Sequence, residues 1–213
     1  MANAPADGLS TGADGVTRCW WGDSASEYVP YHDGEWGFPV ADDVKLFEKL
    51  SLEGFQAGLS WLTILRKREA FRSAFAGFDP ARVARFGRRD VERLLADAAI
   101  VRNRAKIEAV IGNAGRMLEL VEAEGSLAGY VWSFEPEPRP GKLDRAALRE
   151  LGSGAPARAL ARDLKRRGWR FVGPTTVYSF MEAMGLVDDH LDGCDIRPAA
   201  ESARARFVRP VRG

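Results

Sequence analysis

The chain is poor in residues that make covalent or metal cross-links: its 213 residues contain two cysteines and two histidines. Two cysteines exclude a disulfide-built scaffold. No run of 18 or more apolar residues occurs, which excludes a membrane-spanning helix. The first sixteen residues have neither a basic start nor an apolar stretch. They read as a flexible tail rather than a secretory leader, and a cytoplasmic protein is expected. Alternation of polar and apolar residues never extends beyond a few positions, so a sheet-built domain is not expected. An excess of either charge is missing too, the net value being +1. What remains is an ordinary globular composition, 46% hydrophobic and 29% charged. A chain of this length suffices for one domain or two small lobes, burying roughly 70% of its surface.

The scarce residues are not scattered. Cys19 and His32 lie near one end, His190 and Cys194 near the other. Two thiolates and two imidazoles form the closed tetrahedral set preferred by a structural zinc. His190 and Cys194 are four apart, so a helical or tight-turn backbone places them on one face. If the four meet, a metal staples the two ends of the chain together. Four protein ligands leave no position for water, so the metal is read as structural and not as an activator of water. Buried, unrelated cysteines and histidines are the plainer alternative. An exported chain would also permit a Cys19–Cys194 disulfide.

The near-zero net charge conceals an asymmetry. Residues 1–65 carry ten acidic side chains against three basic ones, Arg18, Lys45 and Lys49. Residues 139–170 carry ten basic groups, from Arg139 to Arg170, against Asp144, Glu150 and Asp163. Arg204, Arg206, Arg209 and Arg212 follow near the C-terminus. Solvated helix faces account for any single arginine, but a stretch this basic is also an electrostatic footprint for a polyanion.

Helical signals run along nearly the whole chain, so the expected fold is all-α. Asp42 or Asp43 caps a helix through Val44, Leu46, Phe47 and Leu50, broken at Gly58; Ser60 opens the next, running from Trp61 to Phe75. Asp79-Pro80 is an N-cap followed by proline at the first helical position. Asp90 is expected to cap another helix, carrying Val91, Leu94 and Leu95. After a turn at Asp97–Val101, a long helix buries Ile107, Val110, Ile111, Met117 and Leu118. Residues 135–142 form a proline-rich connector, Pro156 begins a helix ending at Gly168, and Gly173-Pro174 starts a last one closed by Gly185.

Trp20, Trp21, Tyr28, Tyr31, Trp36 and Phe38 crowd into nineteen residues that also contain Cys19's neighbourhood and His32. Aromatic side chains are usually core, yet such a loop pinned by a metal is also a wall for a planar heterocycle. Glu53 stands in an otherwise apolar stretch, and a buried carboxylate is costly without a partner. A neighbouring arginine would satisfy it inside a core. In a pocket, a ligand's amine would do so.

The segments RCWWG, YHDGEWG, LFEKLSLEGFQAGLSW, DAAIVRNRAKIEAVIGNA, YVWSF, KRRGWRFVGPTTVYSFMEAMGLVDDH and the closing GC carry a resemblance. From about Arg18 to Pro198 the chain resembles the 3-methyladenine DNA glycosylase I family, of the helix-hairpin-helix glycosylase superfamily. The resemblance implies two helical lobes, with the N- and C-terminal segments joined by a structural zinc on Cys19, His32, His190 and Cys194. It implies one glycosylase unit over residues 17–198, whose middle lobe, about 60–150, holds the hairpin, between a tail at 1–16 and an Arg-rich tail at 199–213. It further implies that Glu53 and Tyr31 recognise the methylated adenine, that the base stacks on Trp61, and that Trp21, Tyr28 and Trp36 line or back the pocket. Leu59 is placed to wedge into the base stack, while Ala99 and Arg102, at and beside the Asp97–Val101 hairpin, are placed at DNA phosphate.

The implied activity is hydrolysis of the N-glycosidic bond of 3-methyladenine in alkylated double-stranded DNA by a monomer, through base flipping and without strand cleavage. Three positions depart from the family pattern. Ala99 replaces the usual hairpin glycine, Trp20 is bulkier than the common residue, and Asp188 stands where asparagine is frequent. Two other classes stay open. A non-catalytic, zinc-stapled DNA-binding module explains the basic stretch but not Glu53 among aromatic rings, and a metal-dependent hydrolase needs an open zinc position.

Overall fold

The computed structural model describes residues 7–138, 142–151 and 154–213. Residues 1–6 of the expected tail, Arg139, the 139–141 part of the connector and the side chain of Arg149 lie outside the described residues.

The chain is mostly helical, with one addition that periodicity did not announce. Strands β1 (Leu9–Thr11) and β2 (Thr17–Cys19) form an antiparallel hairpin whose first strand lies in the stretch read as a tail. The flexible-tail reading therefore fails for residues 9–16. The cause is a pairing invisible to local pattern: Arg18 is buried and bonds both Asp14 (2.8 Å) and Asp33 (2.7 Å). Strands of three residues are also too short to display alternation. The Asp195 N–H donates to the Thr17 carbonyl at 2.8 Å and the Asp195 carboxylate accepts from the Thr17 N–H at 2.7 Å, tying this hairpin to the C-terminal loop.

Helix α1 (Tyr28–Gly34) precedes the central helix α2 (Asp43–Gln56), of which Leu46 through Phe55 are buried. Asp42 is the α2 cap, accepting from the Lys45 N–H at 2.8 Å. Asp43 instead receives the N–H groups of Leu127 and Ala128 at the start of α8 (Leu127–Trp132). Gly58 adopts φ +82, and Ser60 caps α3 (Trp61–Arg66). The helix expected to continue to Phe75 is interrupted at Lys67 (φ −100, ψ 1) and resumes as α4 (Arg68–Ala74). Asp79 caps α5 (Pro80–Val83).

Helix α6 (Arg88–Ala96) starts at Gly87, not Asp90; the Asp90 carboxylate reaches back to the Gly87 N–H at 3.0 Å, the acidic half of a capping box. Asn103 caps α7 (Arg104–Glu124), which buries Ile107, Val110 and Met117 but leaves Leu118 exposed and Ile111 at the margin. The order closes with α9 (Arg145–Leu151), α10 (Ala155–Arg166), α11 (Pro174–Ala183) and α12 (Arg197–Arg206). Gly185 ends α11 at φ +74, where a Cβ would sit 2.5 Å from the Phe38 backbone, so glycine is required twice over.

The C-terminal stretch is not a loose tail. Its arginines are drawn onto the fold: Arg204 and Arg209 both bond Glu135 at 2.9 Å, Phe207 packs on Trp132 at 4.5 Å, and the Gly213 N–H donates to the Glu124 carbonyl. Those groups come from the middle of the sequence, out of reach of any local pattern. Helix α2 packs against α3, α7, α8 and α11 and lies at the centre of the molecule. A smaller apolar cluster, Cys19, Leu143, Leu191 and Cys194, joins the two ends.

Candidate functional site

Cys19 comes from the end of β2, His32 from α1, and His190 and Cys194 from the turn after α11. All four are buried, and their ligand atoms lie within 4.8 Å of one another. Cys194 Sγ is 3.8 Å from His32 Nε2 and 3.6 Å from His190 Nδ1. Tetrahedral zinc with ordinary bond lengths sets ligand atoms about 3.3–3.8 Å apart. The outer nitrogens are also assigned. His32 Nδ1 faces Asp33 Oδ1 at 2.8 Å and His190 Nε2 faces the Trp36 carbonyl at 3.1 Å. Each imidazole thus spends its outward N–H on an oxygen and turns its other nitrogen toward the cysteines, as metal-bound histidines do. Both cysteines are free thiols, so the disulfide alternative is not adopted. Cys19 lowers the Cys194 thiol, aided by the two histidines, while its own thiol is pushed up by the same contact and by burial. Two cysteines and two histidines buried this close together are a donor set that could hold a metal ion.

Small residues make room for the rings. A Cβ at Gly22 would stand 2.7 Å from the His32 ring, and one at Gly37 would stand 3.0 Å from that of His190. Indoles fill the rest: Trp21 meets His32 edge-on at 5.1 Å and Trp36 meets His190 at 4.7 Å. The same two indoles pack on each other at 4.9 Å.

Their far sides form one wall of a cavity of about 320 Å³. It is lined by Trp21, Tyr28, Tyr31, Trp36, Glu53, Gln56, Trp61, Ser179 and Glu182. Tyr31 and His32 are sequence neighbours on α1, so one helical turn aims one side chain into the cavity and the next at the cysteines. Glu53 is buried and its partner is Lys49, one turn earlier on α2, at 2.8 Å. The partner is therefore a lysine and not the arginine that core burial would have supplied. Lys49 also donates to the Tyr31 hydroxyl at 2.7 Å. Burial, followed by the Glu53 carboxylate, pushes the Tyr31 phenol well above its ordinary range, so it is a neutral donor. Tyr31 and Trp61 face each other at 5.5 Å. An aromatic slot with one buried carboxylate and one neutral hydroxyl suits a flat, amine-bearing heterocycle.

Residues 20–198 match the family model described as methyladenine glycosylase. The chain belongs to the methyladenine glycosylase family. It is 47% identical over 184 residues to the DNA-3-methyladenine glycosylase 1 of Escherichia coli, covering 86% of this chain and 98% of that protein. It is 44% identical over 180 residues to the DNA-3-methyladenine glycosylase of Haemophilus influenzae, covering 84% and 97%. The 3-methyladenine DNA glycosylase I of Staphylococcus aureus, from a structural study of 3-methyladenine recognition, superposes with TM-score 0.78 at 40% identity. That match covers 84% of this chain and 95% of the other.

In this methyladenine glycosylase the other expected positions fall apart from the slot. Leu59 follows Gly58 on the turn after α2 and is 42% exposed. Lys106 of α7 holds that turn, donating to the carbonyls of Phe55 (2.9 Å) and Ala57 (2.5 Å). Ala99 and Arg102 lie exposed between α6 and α7, where the Ala99 N–H is already taken by Asp97 Oδ1 at 2.8 Å. The basic stretch is divided: Arg158, Arg162 and Lys165 are exposed on α10, whereas Arg167 bonds Asp163 and Glu124. Lys49, Gln56, Ser179 and Glu182 were not anticipated from the sequence. Of these only Lys49 carried a signal, as the i, i+4 partner of Glu53.

Proposed function

We propose that this chain hydrolyses the N-glycosidic bond of 3-methyladenine in alkylated double-stranded DNA, as a monofunctional base-excision glycosylase. The observation that carries this reading is Glu53, a buried carboxylate at the wall of an aromatic slot, in a member of the methyladenine glycosylase family. Methylation at N3 makes the adenine ring cationic and weakens its bond to the sugar. On cleavage the bonding electrons pass to N9, the base leaves neutral, and water adds to the sugar carbon. The protein then has to extrude the nucleotide, hold the base and exclude normal ones.

In this reading Leu59 wedges into the gap left in the duplex, and Trp61 supplies a stacking face worth roughly 1–3 kcal/mol. Glu53 accepts hydrogen bonds from the exocyclic amine, Tyr31 donates, and Trp21, Tyr28 and Trp36 close the slot. The segment between α6 and α7, with Ala99 and Arg102, is the phosphate-gripping hairpin of a helix-hairpin-helix lobe spanning about 60–150, and the unit as a whole spans 17–198. Cys19, His32, His190 and Cys194 hold a structural zinc, which when bound cross-links the two ends of the chain and takes no part in the reaction. Incubation with N-methylated DNA tests the activity: 3-methyladenine is released and the strand stays intact. No released base would overturn it.

The metal reading has its own test. Asp33→Ala removes the acceptor that orients His32, and the expected result is a zinc affinity about 10–100-fold weaker, read by competition with a chelator. An unchanged affinity would count against Asp33 as the orienting partner.

A further inference from the structure

Lys49 has every hydrogen of its ammonium group committed to the slot. Nζ lies 2.8 Å from Glu53 Oε1, donates to the Tyr31 hydroxyl at 2.7 Å, and stands 3.3 Å from the centroid of the Trp61 ring. An ammonium has three donors and no acceptor, so these contacts use it completely. The side chain is buried, a costly place for a cation that only three good partners make tolerable.

Shared walls show on which side it stands. Tyr31 and Trp61 line the slot and also a neighbouring cavity of about 500 Å³, whose wall includes Glu48, Arg68 and Arg72. Lys49 lines the second cavity and not the first. The ammonium thus supports Tyr31, Trp61 and Glu53 from behind.

We propose that Lys49 is a positioning residue that sets the hydrogen-bond polarity of the base slot, and through it the preference for an adenine edge over a guanine edge. The proposal rests on the base-recognition reading above. A tyrosine hydroxyl has one hydrogen. While its oxygen accepts from Lys49, the O–H of Tyr31 has to point away from Lys49, as a donor. Glu53 Oε1 is taken by the same ammonium, which leaves Oε2 as the free acceptor. Between them Tyr31 and Glu53 therefore offer one fixed donor and one fixed acceptor. Adenine presents the complement, the N6 amine beside the N7 acceptor, whereas guanine presents two acceptors, O6 and N7. A guanine edge would set O6 or N7 against the lone pairs of Glu53. Without Lys49, the Tyr31 hydrogen is free to turn to Glu53 or elsewhere, and the fixed pattern is lost.

The test measures binding of free 3-methyladenine and 3-methylguanine to wild type, Lys49→Met and Lys49→Gln, read by quenching of tryptophan fluorescence, with thermal melting as the check on folding. Methionine keeps the length and removes every donor. Glutamine keeps an N–H for Tyr31 without the charge. The expected result is a preference for 3-methyladenine that falls about tenfold in Lys49→Met and is largely kept in Lys49→Gln. A ratio within twofold of wild type in Lys49→Met, or equal loss in both variants, would overturn the role of Lys49 while leaving the base slot intact. Wild type binding neither base would remove the slot reading and this proposal together.

Discussion

Glu53→Gln is expected to lower kcat/KM for release of 3-methyladenine by about 10- to 100-fold, and to weaken binding of the free base similarly. A hydrogen bond to a charged group contributes about 1.5–3 kcal/mol, and each 1.4 kcal/mol is a factor of ten. The carboxylate is buried, so solvent does little to screen its contribution. Glutamine keeps the shape and one oxygen, but its amide can present a donor to the base amine. The same change leaves Lys49 buried without its counter-ion. Breaking a buried ion pair from one side costs about 3–5 kcal/mol, and at about 2–4 °C per kcal/mol the melting temperature should drop measurably. Burial already lowers the lysine's proton affinity, with Glu53 opposing, so loss of the carboxylate favours the neutral amine and softens that cost. Single-turnover release on methylated DNA, at a temperature where the variant is folded, checks the prediction. Activity within twofold of wild type would remove Glu53 from base recognition.

The second large effect concerns the cysteine–histidine cluster. Freshly purified protein is expected to carry about one zinc per chain by elemental analysis, and Cys194→Ser to carry little. Losing a ligand costs more than the roughly 10–100-fold attached to losing a ligand's outer partner. By mass action that sets a floor of about 1.4–2.7 kcal/mol, or about 5 °C in melting temperature for a chain of this length, and the full loss should approach ~10 °C. Base affinity should fall with it, because Trp21 and Trp36 pack on His32 and His190 and are also walls of the slot. Wild-type protein free of zinc, or a variant melting like wild type, would overturn the staple.

Both effects meet in α1, where Tyr31 serves the slot and His32 the cluster. Neighbouring helical residues diverge by about a quarter turn or slightly more. A metal that fixes one therefore fixes the other. The glycines that admit the two imidazole rings, Gly22 and Gly37, belong to the same arrangement, since a methyl at either would collide with a histidine.

How much of this was legible in the sequence depended on range. Helix starts at Ser60, Asp79, and Gly173-Pro174 were readable because a cap acts within one turn of itself. The two cysteine and histidine clusters were readable because the chain holds no other cysteine or histidine. The break at Lys67, the N-terminal hairpin and the docked C-terminus were not. Each depends on partners far along the chain: Arg18 finds Asp33, and Arg204 and Arg209 find Glu135.

By itself, then, the sequence determined a mostly helical chain, its family, and the residue types for a metal cluster and for a carboxylate-bearing aromatic slot. Those are properties of local spacing and of composition that recurs in family order. Tertiary structure alone decided that Lys49 also reaches Tyr31 and Trp61, that Ser179 and Glu182 complete the slot, and that the N-terminal hairpin and the C-terminal stretch are fastened down. The reason is physical. Contacts between elements are set by how the whole core packs, which no local spacing specifies.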